Sequence, residues 1–357
     1  MNVSQSDMQR KINLLPGPVY IHDRVKDDFG RIPISHRENT FSEALKVVKS
    51  LLLFLTRCKN VEVCLGTGTL ANDIIASQLS LLNKKGLILS NGEFGERLIR
   101  HAQGLGLKYH VIRVRWGTSF DYRRIDHTIK KNGIHWLWFV HHETSTGLLN
   151  DLDRLSNLAR KFKLLCCVDC IGSIGAYPVN LSSVDFASGT SGKAIGAYPG
   201  LSFVFYKKIY PSKKAVPAYL DLQMYGKKNG IPFTSSSNLL SALKNALKLL
   251  KEDKRKFQRI QKQNQWIRQQ VTETNLPILV RNERDSPMVT TIPLPARINS
   301  CALGKYLRDR GFLVHYQGEY LLKKNWVQIA SFSLYPRRHL KPMFDHLKEY
   351  FGLKSCA

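Results

Sequence analysis

Val61-Glu62-Val63-Cys64-Leu65-Gly66-Thr67-Gly68-Thr69-Leu70 carries two structural signals in succession. Its first half is apolar and β-branched, with the length of a buried strand. A Gly-Thr turn follows, and residues 70–82 then space their apolar side chains as a helix does. A strand, a Gly-rich turn and a helix start present backbone N–H groups at the helix N-terminus. Such a turn can cradle a phosphate, helped by its hydroxyls. Gly66, Thr67, Gly68 and Thr69 are therefore candidate anion ligands. No Gly-Lys-Ser/Thr follows, so the turn is not a P-loop, and its glycine spacing is not the dinucleotide fingerprint.

The alternation continues outward. Residues 61–65, 86–90, 109–114, 135–140, 164–168, 186–188 and 201–206 read as strands, and 41–55, 94–105 and 152–162 as helices. Strands alternating with helices of this length predict an α/β fold with a mostly parallel seven-stranded sheet covered on both faces. Ligands in such sheets bind at the carboxyl ends of the strands. Residues 66–69, 91–94, 141–147 and Asp169 fall at those ends. Residues 238–270 read as charged helix. Short strands at 288–294, 312–316 and 326–332 and helices at 302–310 and 342–350 predict a smaller α+β domain. The expected division is a large domain over 20–250 and a small one from 1–19 and 251–357.

Composition narrows the function. A chain of 357 residues with 43% hydrophobic content buries a large core. The net charge of +27 raises nucleic acid as a partner. Its lysines are dispersed, however, as Lys84-Lys85, Lys207-Lys208, Lys213-Lys214, Lys227-Lys228 and Lys323-Lys324, and no nucleic-acid-binding motif accompanies them. A solvated basic surface that steers anionic substrates is the better reading. Seven cysteines, an odd number, do not make a disulfide framework. Cys166, Cys167 and Cys170 begin on a strand, where neighbours point to opposite faces, so they converge poorly on a metal. No apolar run reaches membrane length. Residues 1–6 are polar, unlike a signal peptide. A cytoplasmic protein is expected.

Lys193 lies in Ser188-Gly189-Thr190-Ser191-Gly192-Lys193-Ala194-Ile195-Gly196, 24 positions after Asp169. A carboxylate at the end of an apolar strand needs a partner. A lysine among small residues and a buried acid together suit pyridoxal phosphate: the amine takes the aldehyde, and the acid takes the pyridine nitrogen. Phe94, just past a strand end, could stack on the ring. His141 and His142 are adjacent, which makes joint metal ligation awkward. Thr144 or Ser145 fits better, as a hydroxyl for the ring's phenolate oxygen.

In this order, Pro16-Gly17-Pro18, Ser35-His36-Arg37, Gly66-Thr67-Gly68-Thr69, Asn91-Gly92-Glu93-Phe94-Gly95-Glu96-Arg97, His142-Glu143-Thr144-Ser145-Thr146-Gly147, Asp169, Lys193, Pro199-Gly200 and Pro232-Phe233-Thr234 resemble the class V aminotransferases of pyridoxal phosphate fold type I. The branch resembled contains 2-aminoethylphosphonate–pyruvate transaminase and the alanine/serine–glyoxylate aminotransferases. The resemblance runs through residues 13–250 and more loosely beyond.

The resemblance implies a homodimer with shared active sites. It implies Lys193 as the Schiff-base lysine and proton shuttle, Asp169 on the ring nitrogen and Phe94 on the ring face. It implies Gly68 and Thr69 on the phosphate, joined by Ser191, with Thr234 reaching the neighbouring subunit's phosphate. The family's late strand carries an arginine that clamps the substrate carboxylate. Here Gln328 stands in that place, and an amide lacks the charged fork. Arg37 and Arg337 are the alternative cations. The expected reaction moves an amino group from a small amine or amino acid, phosphonate-bearing donors included, to a 2-oxo acid such as pyruvate or glyoxylate. A pyridoxal phosphate lyase or decarboxylase is the alternative that Gln328 leaves open.

Overall fold

The computed structural model describes residues 11–211, 216–281 and 284–352. The polar stretch 1–6, the Lys213-Lys214 pair and the outermost ends of the expected small domain lie outside them.

Seven strands form the main sheet: β1 (Asn60–Leu65), β2 (Gly86–Ser90), β3 (Tyr109–Arg113), β4 (Trp136–Val140), β5 (Leu165–Asp169), β6 (Phe186–Thr190) and β7 (Leu201–Tyr206). Their spatial order is β1-β7-β6-β5-β4-β2-β3. Strands β2 to β6 pair in parallel. β7 runs antiparallel to both its neighbours, β1 and β6. Parallel neighbours need long crossovers. Helices α1 (Asn39–Thr56), α2 (Gly68–Leu82), α3 (Glu93–Gly104), α4 (Tyr122–Asn132) and α5 (Leu152–Lys161) alternate with the strands.

Strand pleating divides the core in two. Leu87 and Leu89 of β2 and Leu137 and Phe139 of β4 face one side, with Phe41 and Leu52 of α1, Ile125 of α4 and Leu155 of α5. Ile88, Trp136 and Trp138 face the other, with Ile74 and Leu79 of α2 and Leu98 of α3. This is the period-two alternation of a sheet buried on both faces. Gly86 belongs to the same packing: a Cβ there would stand 1.9 Å from the Trp136 ring on the neighbouring strand.

The expected charged helix over 238–270 is two helices, α6 (Ser237–Glu252) and α7 (Lys256–Glu273). Asp253 breaks them, with φ −85° and ψ 74°. Beyond them β8 (Val289–Pro293) and β9 (Trp326–Ala330) form an antiparallel pair. Helices α8 (Ser300–Asp309), α9 (Glu319–Lys324) and α10 (Arg337–Tyr350) complete this part. Its core joins Ile267, Leu303, Phe312, Ile329 and Phe344 with Leu14 from the start of the chain. Ile12–Asn13 reaches it by pairing in parallel with Phe312–Leu313. None of the described helices is long and apolar enough to cross a membrane.

Candidate active site

The carboxyl ends of β1, β5 and β6 open onto a cavity of about 1310 Å³. Thr67, Gly68 and Thr69 line it after β1, Asp169 at the end of β5, and Thr190 at the end of β6. Lys193, Phe94 and Thr144 also reach it.

Thr67 is the N-cap of α2, yet its side chain makes no capping bond. The first N–H groups of a helix have no i−4 partner within it; the Leu70 N–H turns back to the Thr67 carbonyl at 2.9 Å, and the Gly68 and Thr69 N–H groups bond no acceptor among the described residues. Gly68 lets the helix start press on the loop after β5. A Cβ at position 68 would stand 2.5 Å from Cδ1 of Ile171.

Asp169 is buried, at 4% exposure. Asn72 Nδ2, one turn into α2, donates to its Oδ2 at 2.8 Å, and the Ile171 N–H donates to its Oδ1 at 2.9 Å. Each oxygen retains a lone pair. Burial raises its pKa, against the two hydrogen bonds and the charges of His101 and Lys193.

The Lys193 side chain passes against Gly17, where a Cβ would lie 2.8 Å from its Cδ. Burial first, and the Arg97 charge second, bring the amine down to about 8, with Asp169 opposing. About a tenth of such an amine is neutral at pH 7, against a negligible share of an ordinary lysine.

Phe94 is held from below. Glu143 accepts from the Phe94 N–H at 3.3 Å and the Gly95 N–H at 2.9 Å. Ser145 Oγ accepts from the Glu93 N–H at 2.9 Å and donates to Glu143. Glu143 and Ser145 thus cap α3. The Arg97 guanidinium lies 4.9 Å from the Phe94 ring centroid.

Several expected positions lie elsewhere. Thr144 lines the cavity, with its hydroxyl 3.4 Å from His142, but Ser145 is fully buried in the α3 cap and does not. Ser191 Oγ is spent on the Tyr198 and Leu201 carbonyls at 2.6 and 3.1 Å and is likewise outside the lining. Thr190, its neighbour, lines the cavity, with its own hydroxyl given to the Leu201 carbonyl at 3.1 Å. Gln328 is fully buried behind the wall. Its amide is taken by the Thr144 and Ser145 carbonyls and by Thr291, so it cannot meet substrate. Arg37 and Arg337 are exposed and outside the lining; Arg337 sits 5.8 Å from the Trp266 ring. Thr234 is exposed and also outside it.

His141 and His142 are buried, which drives their pKa values to about 3 and about 4. They hold separate partners, Ser173 for His141, and the Gly172 carbonyl and Ser286 for His142. Among the described residues no group of three His, Cys, Asp or Glu is arranged to hold a metal. Sequence reasoning missed Asn72, Thr190, Trp116, His315 and Tyr320 in the lining or its support. Asn72 alone had a signal: a polar residue one turn after Gly68 on the side of α2 that must be buried.

Pyridoxal phosphate needs a phosphate cradle, an acid for its ring nitrogen, an amine and an aromatic face. The open α2 N-terminus, the free lone pairs of Asp169, the depressed Lys193 amine and the ring of Phe94 fit that group.

The profile described as Aminotransferase class-V matches residues 35–321. A curated relative, the soluble hydrogenase 42 kDa subunit of Anabaena cylindrica, is 30% identical over 79% of this chain and 78% of its own. The 2-aminoethylphosphonate–pyruvate transaminase of Lysinibacillus sphaericus is 26% identical over 96% of this chain and 98% of its own. The crystal structure of alanine–glyoxylate aminotransferase from Nostoc sp. superposes with a TM-score of 0.87 at 26% identity, covering 97% of this chain and 96% of that one. The profile spans most of the sequence, and the superposition spans the whole fold. The chain belongs to the class-V aminotransferases, pyridoxal-phosphate enzymes of fold type I.

Proposed function

We propose that this chain moves an amino group from a small primary amine or amino acid, 2-aminoethylphosphonate among the candidates, to pyruvate or glyoxylate. The observation that carries the reading is one cavity holding a lysine amine at about 8, a buried carboxylate and an uncapped helix N-terminus. The named donors and acceptors come from the relatives that do this chemistry.

Bound pyridoxal phosphate supplies an aldehyde that joins amines and a ring that withdraws electrons. Lys193 would hold it through its amine, which a substrate amine would set free. The freed Nζ, about half neutral at pH 8, would remove the proton from the amine-bearing carbon as general base. Asp169 would accept the ring N–H and keep that proton in place, since a cation bonded to the free lone pair of a buried carboxylate is held there. The α2 N-terminus at Gly68 and Thr69 binds the phosphate. Phe94 would cover one ring face, and the Thr144 hydroxyl would orient the group from its edge.

Two copies share their sites in this proposal. Arg37 and Thr234 are exposed and away from their own cavity, as residues serving a neighbour's cavity would be. The lyase alternative draws only on the missing arginine at position 328. The cavity carries other cations, so that absence gives it no support.

The test is a panel of amines added to the holoenzyme, with alanine, serine and 2-aminoethylphosphonate first. The expected result is spectral conversion of the cofactor to its amine form, reversed by pyruvate or glyoxylate. Product release without any 2-oxo acid would overturn the proposal in favour of a lyase.

A further inference from the structure

Gln328 is saturated. Its Nε2 faces three acceptors, the Thr144 and Ser145 carbonyls at 2.6 and 3.1 Å and Thr291 Oγ1 at 2.8 Å. Its Oε1 accepts from Tyr320 OH at 3.0 Å and lies 3.1 Å from His315 Nδ1. That contact places the His315 proton on Nδ1 and leaves Nε2 a lone pair. Burial lowers the His315 pKa further. The deep wall near position 328 therefore offers a substrate acid a neutral, hydrogen-bonded network and an imidazole lone pair.

The mouth of the cavity is different. Arg97 and Arg100 of α3 share one carboxylate, Glu93 Oε1, at 3.1 and 2.6 Å. The terminal nitrogens of Arg97 bond no acceptor among the described residues. Across the mouth, Lys323 of α9 is paired with Glu319 at 2.7 Å. Lys324 has no carboxylate partner among the described residues, and its Nζ lies 4.5 Å from the Trp116 ring and 5.1 Å from the Trp326 ring. All four cations line the cavity. The two helices sense each other: Arg97 acts on Tyr320, Glu93 on Lys323, and Arg100 on Glu319. Arg97 and Lys193 line the same cavity, and the Arg97 charge is felt at the Lys193 amine.

We infer that the acid group of the substrate, carboxylate or phosphonate, is received at the mouth between α3 and α9 by Arg97 with Lys324 opposite, and that Gln328 closes the deep wall to acids. This deepens the aminotransferase reading and rests on it. Arg97 supplies the planar fork, and Lys324 a point charge that tolerates different acid geometries. Arg97 is about half exposed, so the pairing is reached from solvent.

The test has a binding arm and a kinetic arm. Propionate and ethylphosphonate carry an acid but neither amine nor carbonyl, and calorimetry measures their binding to the holoenzyme. Arg97→Gln weakens both by about tenfold or more, the range for a lost charge-assisted bond. Lys324→Gln weakens both less, and Gln328→Arg tightens neither. In the kinetic arm Arg97→Gln raises KM for pyruvate more than it lowers kcat, and penalises butylamine, which has no acid group, far less. Three results overturn the inference: wild-type holoenzyme that binds neither anion, anion binding unchanged in both Arg97→Gln and Lys324→Gln, or an equal penalty on butylamine and pyruvate. Should no amine and 2-oxo acid pair react at all, the aminotransferase reading of this chain fails, and the calorimetry still decides the mouth.

Discussion

Arg97 and Lys193 repel each other across the cavity, and the repulsion has a measurable sign. A nearby cation favours the neutral amine, so Arg97→Gln raises the Lys193 pKa above about 8. Only the neutral amine attacks an aldehyde. The rate at which cofactor-free protein captures pyridoxal phosphate should therefore rise with pH to a midpoint near 8, and Arg97→Gln should move that midpoint upward. An unmoved midpoint would show that burial alone sets the amine. His142 gives a second residue-level prediction. Its folded pKa of about 4 lies below the unfolded 6.5, so its contribution to stability is present above pH 6.5 and is lost as pH falls towards 4. The shift is worth on the order of a few kcal/mol. His141 acts with the same sign, and Glu143, raised to about 7, with the opposite one. A variant comparison isolates the term: Tm of His142→Gln should fall less than wild type between pH 6.5 and 4. Lys193 and Asp169 were legible in the sequence because each is out of place locally, a long cation among small residues and an acid ending an apolar strand. Ser145, Ser191 and Gln328 were not. Whether a hydroxyl or amide faces a cavity or a helix cap depends on partners far along the chain, as with Gln328 and the Thr144 carbonyl.

Among the elements, α2 carries the most consequence per residue. Its N-cap makes no side-chain bond, and its first residue leaves no room for a methyl group. Gly68→Ala drives a Cβ into Ile171, whose main-chain N–H holds Asp169. The cost of such overpacking is about 1–3 kcal/mol. It falls on the cofactor site twice, through the phosphate cradle and through the ring acid. The expected outcome is a cofactor Kd raised about tenfold or more in equilibrium titration, with a modest fall in Tm of the stripped protein; an unchanged Kd would remove Gly68 from the cradle. The seven strands were legible because a sheet buried on both faces writes itself as apolar runs. The antiparallel direction of β7 was not, since an apolar run carries no sign of direction. Helix α9 escaped as well. Six residues with two lysines and a glutamate have too little apolar spacing to read, yet α9 delivers Tyr320 and Lys324 to the cavity.

At the scale of the whole molecule, the charge and the exposed apolar residues bear on assembly. Ile32 is 89% exposed and Ile34 45% exposed. Their segment is not loose: Asn238 Nδ2 donates to the Phe29 and Arg31 carbonyls at 2.8 and 2.6 Å, and Ser237 Oγ accepts from the Ile34 N–H at 2.9 Å. A backbone pinned to α6 that turns isoleucines outward suits a surface that a second copy would cover. Arg37 and Thr234 lie close to it in sequence or through α6. If this surface joins two copies, each of net charge +27, the association works against like-charge repulsion. Salt should then strengthen it, because the Debye length shrinks from about 30 Å at 0.01 M to about 8 Å at 0.15 M. Sedimentation should show a dimer that tightens over that range, whereas an association carried by ion pairs would loosen. If this surface joins two copies, Ile32→Glu would bury a carboxylate against the partner and should give monomer, with activity falling in proportion to the dimer lost, as the proposed reach of Arg37 and Thr234 into a second cavity requires. A fully active Ile32→Glu monomer would mean that each copy completes its own site, and the role proposed for Thr234 would fall with it.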